Sequence, residues 1–191
     1  APLAIEALLA FFMESTFIGL WIFGWDKLPK KIHLMCIWMV SIGTTLSALF
    51  ILSANSFMQN PVGYELANGR AQMINFGELF TNSKLWVTFP HVISGALACG
   101  AFLIIGISAI YLRKGQHVSL FKKSINVGLI AGFIAGCGLM WSGHSQMLWV
   151  VENQPMKFAA SEGLYEDSED PAGWSVMAGI DTDNNEVTWN I

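Results

Sequence analysis

The chain has 191 residues, of which 53% are hydrophobic and only 13% charged. Average soluble domains carry roughly 25% charged residues, so the composition argues against an ordinary soluble domain. The net charge is −4, and no basic stripe of the kind that binds nucleic acid is present. The apolar residues fall in runs, and a helix needs about 20 of them to cross a hydrocarbon core. The runs predict an all-α integral membrane protein with transmembrane spans at about 2–25, 32–57, 87–112 and 124–147.

Charge is distributed unevenly along the chain. Nine of the fourteen acids lie after residue 150, where Lys157 is the only base. Seven of the ten bases lie in two short loops: Lys27, Lys30 and Lys31, then Arg113, Lys114, Lys122 and Lys123. Short basic loops stay on the cytoplasmic side. A four-span topology puts both on that side, and puts the N-terminus, the 58–86 connection and the acidic tail outside.

The first span carries Glu6 and Glu14 and ends near Gly24-Trp25-Asp26, where Trp25 suits the membrane interface. Pro29 and three lysines predict a tight inner turn. The second span holds a soft polar patch of Ser41, Gly43, Thr44, Thr45 and Ser47, residues that let helices approach and hydrogen-bond. Asn60-Pro61 ends it. In the connection, Met73, Phe76, Leu79 and Phe80 recur at helical spacing and predict a short amphipathic surface helix. The third span starts around Thr88-Phe89-Pro90-His91, with the proline in the first turn. In the fourth, Gly128, Gly132 and Gly136 form small-xxx-small steps, a close-packing face. Residues 148–191 differ in character. Gln154 to Glu162 opens a helix with proline near its start, Glu166 to Pro171 reads as a solvated acidic loop, and strand character returns weakly around Val187 and Trp189.

Cys36, Cys99 and Cys137 all sit inside spans, without metal-ligand spacing or a C-x-x-C-H motif, and read as small packing residues. Ala1 is not an initiator and no signal peptide precedes the first span. The chain also stops mid-pattern at Trp189-Asn190-Ile191, so we expect a piece of a longer polypeptide.

An ionisable group inside a span is costly and is a functional hypothesis by default. In a regular α-helix, Glu6 and Glu14 are separated by about 12 Å of rise and roughly 80° of rotation. They suit successive steps of a proton path; a hydrogen-bonded structural role is the other reading. His91 has small neighbours in Ser94, Gly95, Ala98 and Cys99. It admits two readings, a haem ligand with room beside it for a flat macrocycle or a packing histidine. His33 and His117, beside lysines, read as solvated, and His144 as interfacial. Lys157 and Glu162 read either as a solvated face or as a donor and acceptor for a polar ring substituent such as a quinol hydroxyl.

These residues, in this order, resemble subunit I of the bacterial cytochrome bd quinol oxidases. The likeness runs along essentially the whole chain. It is carried by Ala1-Pro2-Leu3-Ala4-Ile5-Glu6, Phe11-Phe12-Met13-Glu14-Ser15-Thr16-Phe17, Gly24-Trp25-Asp26, Leu46-Ser47-Ala48-Leu49 and Met58-Gln59-Asn60-Pro61. It continues through Phe89-Pro90-His91 with Ser94-Gly95, Gly143-His144 and Gln154-Pro155-Met156-Lys157. The resemblance implies a catalytic subunit that oxidises quinol outside and reduces dioxygen to water, with two haems b and one haem d and with protons taken from the cytoplasm. It implies that His91 is an axial ligand (to the haem iron) of the haem b that accepts electrons from quinol. Glu6 then lies at the haem d and second haem b centre, and Glu14 and Ser47 lie on a proton path to it. Lys157 and Glu162 bind quinol, and 148–191 is the N-terminal part of the external quinol loop. The implied partners are the remainder of subunit I, subunit II, membrane quinol, dioxygen and the lipid bilayer, with no nucleic acid; the implied location is the bacterial plasma membrane, multi-pass. Further haem ligands of the family precede Ala1 or follow Ile191, so the piece alone is expected to be inactive. The competing reading from the residues is a haem-free proton-coupled transporter or channel subunit. Such proteins often show repeated halves, and none is visible here.

Overall fold

The computed structural model describes residues 2–165, 177–184 and 186–190. The chain divides into two compact units, Ala1–Ser142 and Gly143–Ile191. Among the described residues, four helices are long and apolar enough to cross a membrane: α1 (Pro2–Phe23), α2 (Lys30–Gln59), α3 (Ser83–Arg113) and α4 (Val118–Asn153). Few of their residues are buried, and large apolar side chains such as Phe102, Phe133, Met140 and Trp141 stand exposed. In water this surface would be untenable; in a bilayer it meets hydrocarbon or neighbouring helices.

The apolar runs mark the four helices; α2, α3 and α4 run past them, whereas α1 ends at Phe23, short of its expected end at 25. The largest extensions are at α3 and α4, and at α3 a polar cap lies outside the apolar stretch. Asn82 caps α3 by accepting from the Lys84 N–H at 2.9 Å, so the helix opens at Ser83, about one turn ahead of the predicted start at Val87. Pro90 is therefore inside α3, not in its first turn. It has no N–H to offer the Trp86 carbonyl.

The first span is not a uniform α-helix. Residues Glu6–Phe11 are π-helical, between α-helical Pro2–Ile5 and Phe12–Phe23. A π turn absorbs about one extra residue. Eight positions then advance like seven, and the expected rotation between Glu6 and Glu14 falls from roughly 80° to about 20°.

The turn between α1 and α2 is held by the Gly24 carbonyl, which accepts from Lys27 N at 3.1 Å and Leu28 N at 2.9 Å. His33 is not solvated as expected. It is half-buried, its Nε2 lies 2.8 Å from the Trp21 carbonyl, and its ring stacks on Trp21 and meets Trp25 edge-on. His117 is exposed, as expected.

The connection between α2 and α3 departs from its expected amphipathic helix. Residues Tyr64–Ala67 (β1) and Arg70–Met73 (β2) form an antiparallel hairpin. Asn68 and Gly69 have φ of 52° and 73°, the positive pair that a tight hairpin turn requires. Only Phe76–Thr81 is helical, as a 3-10 segment that buries Leu79 completely. Asn60 and Asn82 tie the end of α2 to the start of α3: Asn82 Nδ2 donates to the Asn60 carbonyl at 2.8 Å.

Of the predicted glycine face on α4, Gly128 and Gly132 pack against α3 but Gly136 meets nothing. Gly138 replaces it, since a Cβ there would lie 2.6 Å from Ser94 Oγ. Cys36 is buried, whereas Cys99 and Cys137 are exposed rather than packed.

In the second unit, Pro155 opens α5 (Pro155–Glu162) and Gly163, at φ 66°, closes it. Ala178–Asp181 (β3) and Glu186–Asn190 (β4) pair antiparallel with a bulge at Gly179/Ile180. Among the described residues, the two small hairpins are the exceptions to a mainly helical chain. The acidic loop read at Glu166 to Pro171 lies outside the described residues.

Candidate functional site

The interface of α1 and α2 collects the two carboxylates. Ser47 Oγ donates to Glu6 Oε1 at 2.7 Å. One helical turn away on α2, Gly43 backs Glu14: a Cβ at Gly43 would lie 3.3 Å from Glu14 Cβ and Glu14 N, and 3.4 Å from the Ala10 carbonyl. Ser47 and Gly43 are four apart and share one stripe of α2. Glu6 and Glu14 therefore address the same stripe, as the π turn requires. Both carboxylates are half-buried. Glu6 has one oxygen engaged, and Glu14 has no hydrogen-bond partner among the described residues.

The second cluster lies between α3 and α4. His91 is half-buried, and its Nδ1 lies 3.1 Å from Ser142 Oγ. Ser142 is 7% exposed and donates in turn to the Gly138 carbonyl at 2.5 Å. Nothing among the described residues hydrogen-bonds His91 Nε2. Gly95, one turn along, has Leu139 Cδ2 as its nearest neighbour, 3.8 Å from where a Cβ would be, so that side of α3 is open.

The remaining residues are placed separately. Lys157 and Glu162 are both on α5, Lys157 exposed and Glu162 half-buried. Five positions turn a helix by roughly 140°, so they point away from one another. His144 is exposed. A cavity of about 540 Å³ between α2, α3 and α4, lined among others by Thr44, Ala48, Ala96, Gly100 and Ala131, contains no titratable side chain. No cluster of three or more His, Cys, Asp or Glu able to hold a metal occurs among the described residues.

Gly43 and Ser142 were not singled out for these roles by sequence. Gly43 had a faint signal, being one turn from Ser47 in a patch of small residues. Ser142 had none, because its partner lies 51 positions away.

The fold and these clusters define a multi-pass helical membrane protein with acids and a half-engaged histidine in its interior. The model of the family described as cytochrome bd terminal oxidase subunit I matches residues 1–191. The chain belongs to that family. It is 63% identical over 186 residues to cytochrome bd ubiquinol oxidase subunit 1 of Bacillus subtilis, covering 97% of this chain and 40% of that protein. It is 41% identical over 185 residues to cytochrome bd-II ubiquinol oxidase subunit 1 of Escherichia coli, covering 96% of this chain and 36% of that one. The structure of bd oxidase from Geobacillus thermodenitrificans superposes with a TM-score of 0.84 at 31% identity, over 100% of this chain and 44% of its counterpart. The chain thus spans about two fifths of the length of the relatives it matches.

Proposed function

We propose that this chain is part of the catalytic subunit of a terminal quinol:oxygen oxidoreductase in the bacterial plasma membrane. In this reading the enzyme oxidises quinol on the outer side and reduces dioxygen to water with protons drawn from the cytoplasm. The rest of subunit I and subunit II complete it. The observation that carries the reading is His91, whose Nδ1 is engaged by Ser142 while Nε2 is free beside the open Gly95 side of α3.

Those features fit haem. The bound haems, two of b type and one of d type, supply electron transfer and the reduction of oxygen. His91 Nε2 would hold the iron of the haem b that takes electrons from quinol. Glu6, with Oε2 unengaged, would serve the haem d and second haem b centre. Glu14, on α1 facing the same stripe of α2 and nearer the basic inner turn, would pass protons towards it. Ser47 can accept a proton on its oxygen while releasing its own to Glu6, a shuttle that needs no net charge on the hydroxyl.

Residues 148–191 would be the N-terminal part of the external quinol-binding loop. Lys157 would donate to a quinol ring oxygen, and Glu162 would accept the proton leaving a quinol hydroxyl. Since the two diverge on α5, they would grip opposite ends of a ring or act with residues beyond this chain. The reading puts the N-terminus and this loop on the outer side.

The test is a reduced-minus-oxidised spectrum of the full complex and of its His91→Ala variant. The complex should show b- and d-type bands, and the variant should lose the b-type signal reduced by quinol. A complex lacking the d-type band would refute the oxidase, and an unchanged variant would refute ligation by His91.

A further inference from the structure

We propose that Ser142 is a positioning residue for His91: it fixes which ring nitrogen carries hydrogen and so sets how strongly the other donates electrons to a metal. The inference rests on the reading of His91 as a haem ligand.

A serine hydroxyl has a single hydrogen and two lone pairs. Ser142 Oγ lies 2.5 Å from the Gly138 carbonyl and 3.4 Å from the Leu139 carbonyl. Carbonyls only accept, so the hydrogen is committed to Gly138. What remains for His91 Nδ1, at 3.1 Å, is a lone pair. Nδ1 must therefore be the donor. Nε2 is left as the nitrogen able to bind iron.

The chain His91 Nδ1–H to Ser142 Oγ–H to the Gly138 carbonyl runs in one direction, and donation by the hydroxyl makes its oxygen a better acceptor. The approach of α3 and α4 that permits this depends on Gly138 itself. A Cβ there would lie 2.6 Å from Ser94 Oγ and 3.3 Å from Ser94 Cβ. Ser94 is one turn from His91, and Gly138 one turn from Ser142. The small pair thus sets the distance at which the polar pair meets.

An acceptor on the distal N–H orients a ligating imidazole and raises its basicity. A more basic ligand stabilises the more positive, oxidised iron. Removing the Ser142 hydroxyl should therefore shift the midpoint potential of the quinol-linked haem b upwards.

The test uses the full complex with Ser142→Thr, Ser142→Val and Ser142→Ala, read by spectroelectrochemical titration and by electron paramagnetic resonance of the oxidised haem b. Thr and Val are nearly isosteric and differ in the hydroxyl. Thr should keep the wild-type potential and signal, while Val should raise the potential or lose the haem. If both larger side chains displace the haem by bulk, the Ala variant decides: a raised potential supports the proposal. A wild-type potential and signal in Ala, or equal values in haem-loaded Thr and Val, would overturn it. His91→Ala separates the two failures. If that variant keeps its b-type band, ligation itself is wrong; if the band is lost but the Ser142 variants are unaltered, only the positioning role is wrong.

Discussion

Ser47 Oγ donates to Glu6 Oε1 across 2.7 Å, joining the second span to the first carboxylate of the first span. Interhelical hydrogen bonds in membranes are worth about 0.6 kcal/mol on average. Loss of this one should leave the fold standing, so any large effect on turnover reports on proton delivery. In the full complex, Ser47→Ala is expected to cut quinol-driven oxygen consumption about a hundredfold or more, the range over which positioned proton transfer acts, with little change in melting temperature. Glu6→Gln keeps an acceptor for Ser47 but cannot carry a proton, and should be slower still. Equal loss of stability and activity in Ser47→Ala would mean that the bond is structural only.

Gly43 is the spacer of the same interface. It is buried, and a Cβ there would already press within 3.3 Å of Glu14. Gly43→Ala demands a shift of a few tenths of an ångström, whereas Gly43→Leu must push α1 away from α2. Overpacking of this kind costs about 1–3 kcal/mol. Gly43→Leu should lower the melting temperature of the purified complex clearly more than Gly43→Ala. A Leu variant as stable as wild type would show that the helices can part without cost.

How far this arrangement could be read from sequence varied with the kind of signal. Apolar runs announce spans, because lipid demands them over a fixed thickness; caps lie outside the runs, so Asn82 and the true start of α3 went unseen. Glu6, Glu14 and Ser47 stand out singly as polar residues in apolar helices. Their alignment does not, because it depends on a π turn whose residues, Glu6–Phe11, have no distinguishing composition. The β1–β2 hairpin was hidden by a false helical spacing of Met73, Phe76, Leu79 and Phe80, although Asn68-Gly69 is itself a hairpin signal. His33 misled for another reason: neighbouring lysines suggested solvent, but Trp21 and Trp25 lie one span earlier and fold back onto it.

That fold-back yields a prediction for the inner turn. Trp21 sits in the last turn of α1, where carbonyls lack helical partners, and His33 Nε2 supplies one at 2.8 Å. His33→Leu removes both the bond and the ring stacking and should destabilise the turn by about 1 kcal/mol. Lys27, Lys30 and Lys31 make the turn a trypsin target, so nicking there should accelerate severalfold in the purified complex. His33→Phe keeps a ring and should fall between. If His33→Leu is cut at the wild-type rate, the clasp contributes nothing to holding the turn.

The hairpin β3–β4 should respond to acid. Asp181 Oδ1 accepts from Asp183 N at 2.9 Å and from Asn184 N at 3.2 Å, and Oδ2 accepts from Asn184 Nδ2 at 3.0 Å. The Asn184 side chain, followed by the Asn184 and Asp183 backbone N–H groups, holds the carboxyl below its ordinary value of 3.8. A group whose pKa is lower folded than unfolded adds stability above its unfolded value, and this is lost as pH falls through the folded one. The turn should be fully braced at about pH 5 and above and should loosen only in acid below 3.8. Asp181→Asn, which keeps one acceptor oxygen but no charge, should abolish the pH response while weakening the turn at all pH values. Amide exchange at Gly179 and Thr188, corrected for the intrinsic pH dependence of exchange, reads this directly: protection should drop on acidification in the wild type and stay flat in the variant. Removal of Asn184, the largest contributor, by Asn184→Ala should move the wild-type drop towards higher pH. A drop at the same pH in wild type and Asn184→Ala would show that some other group governs it.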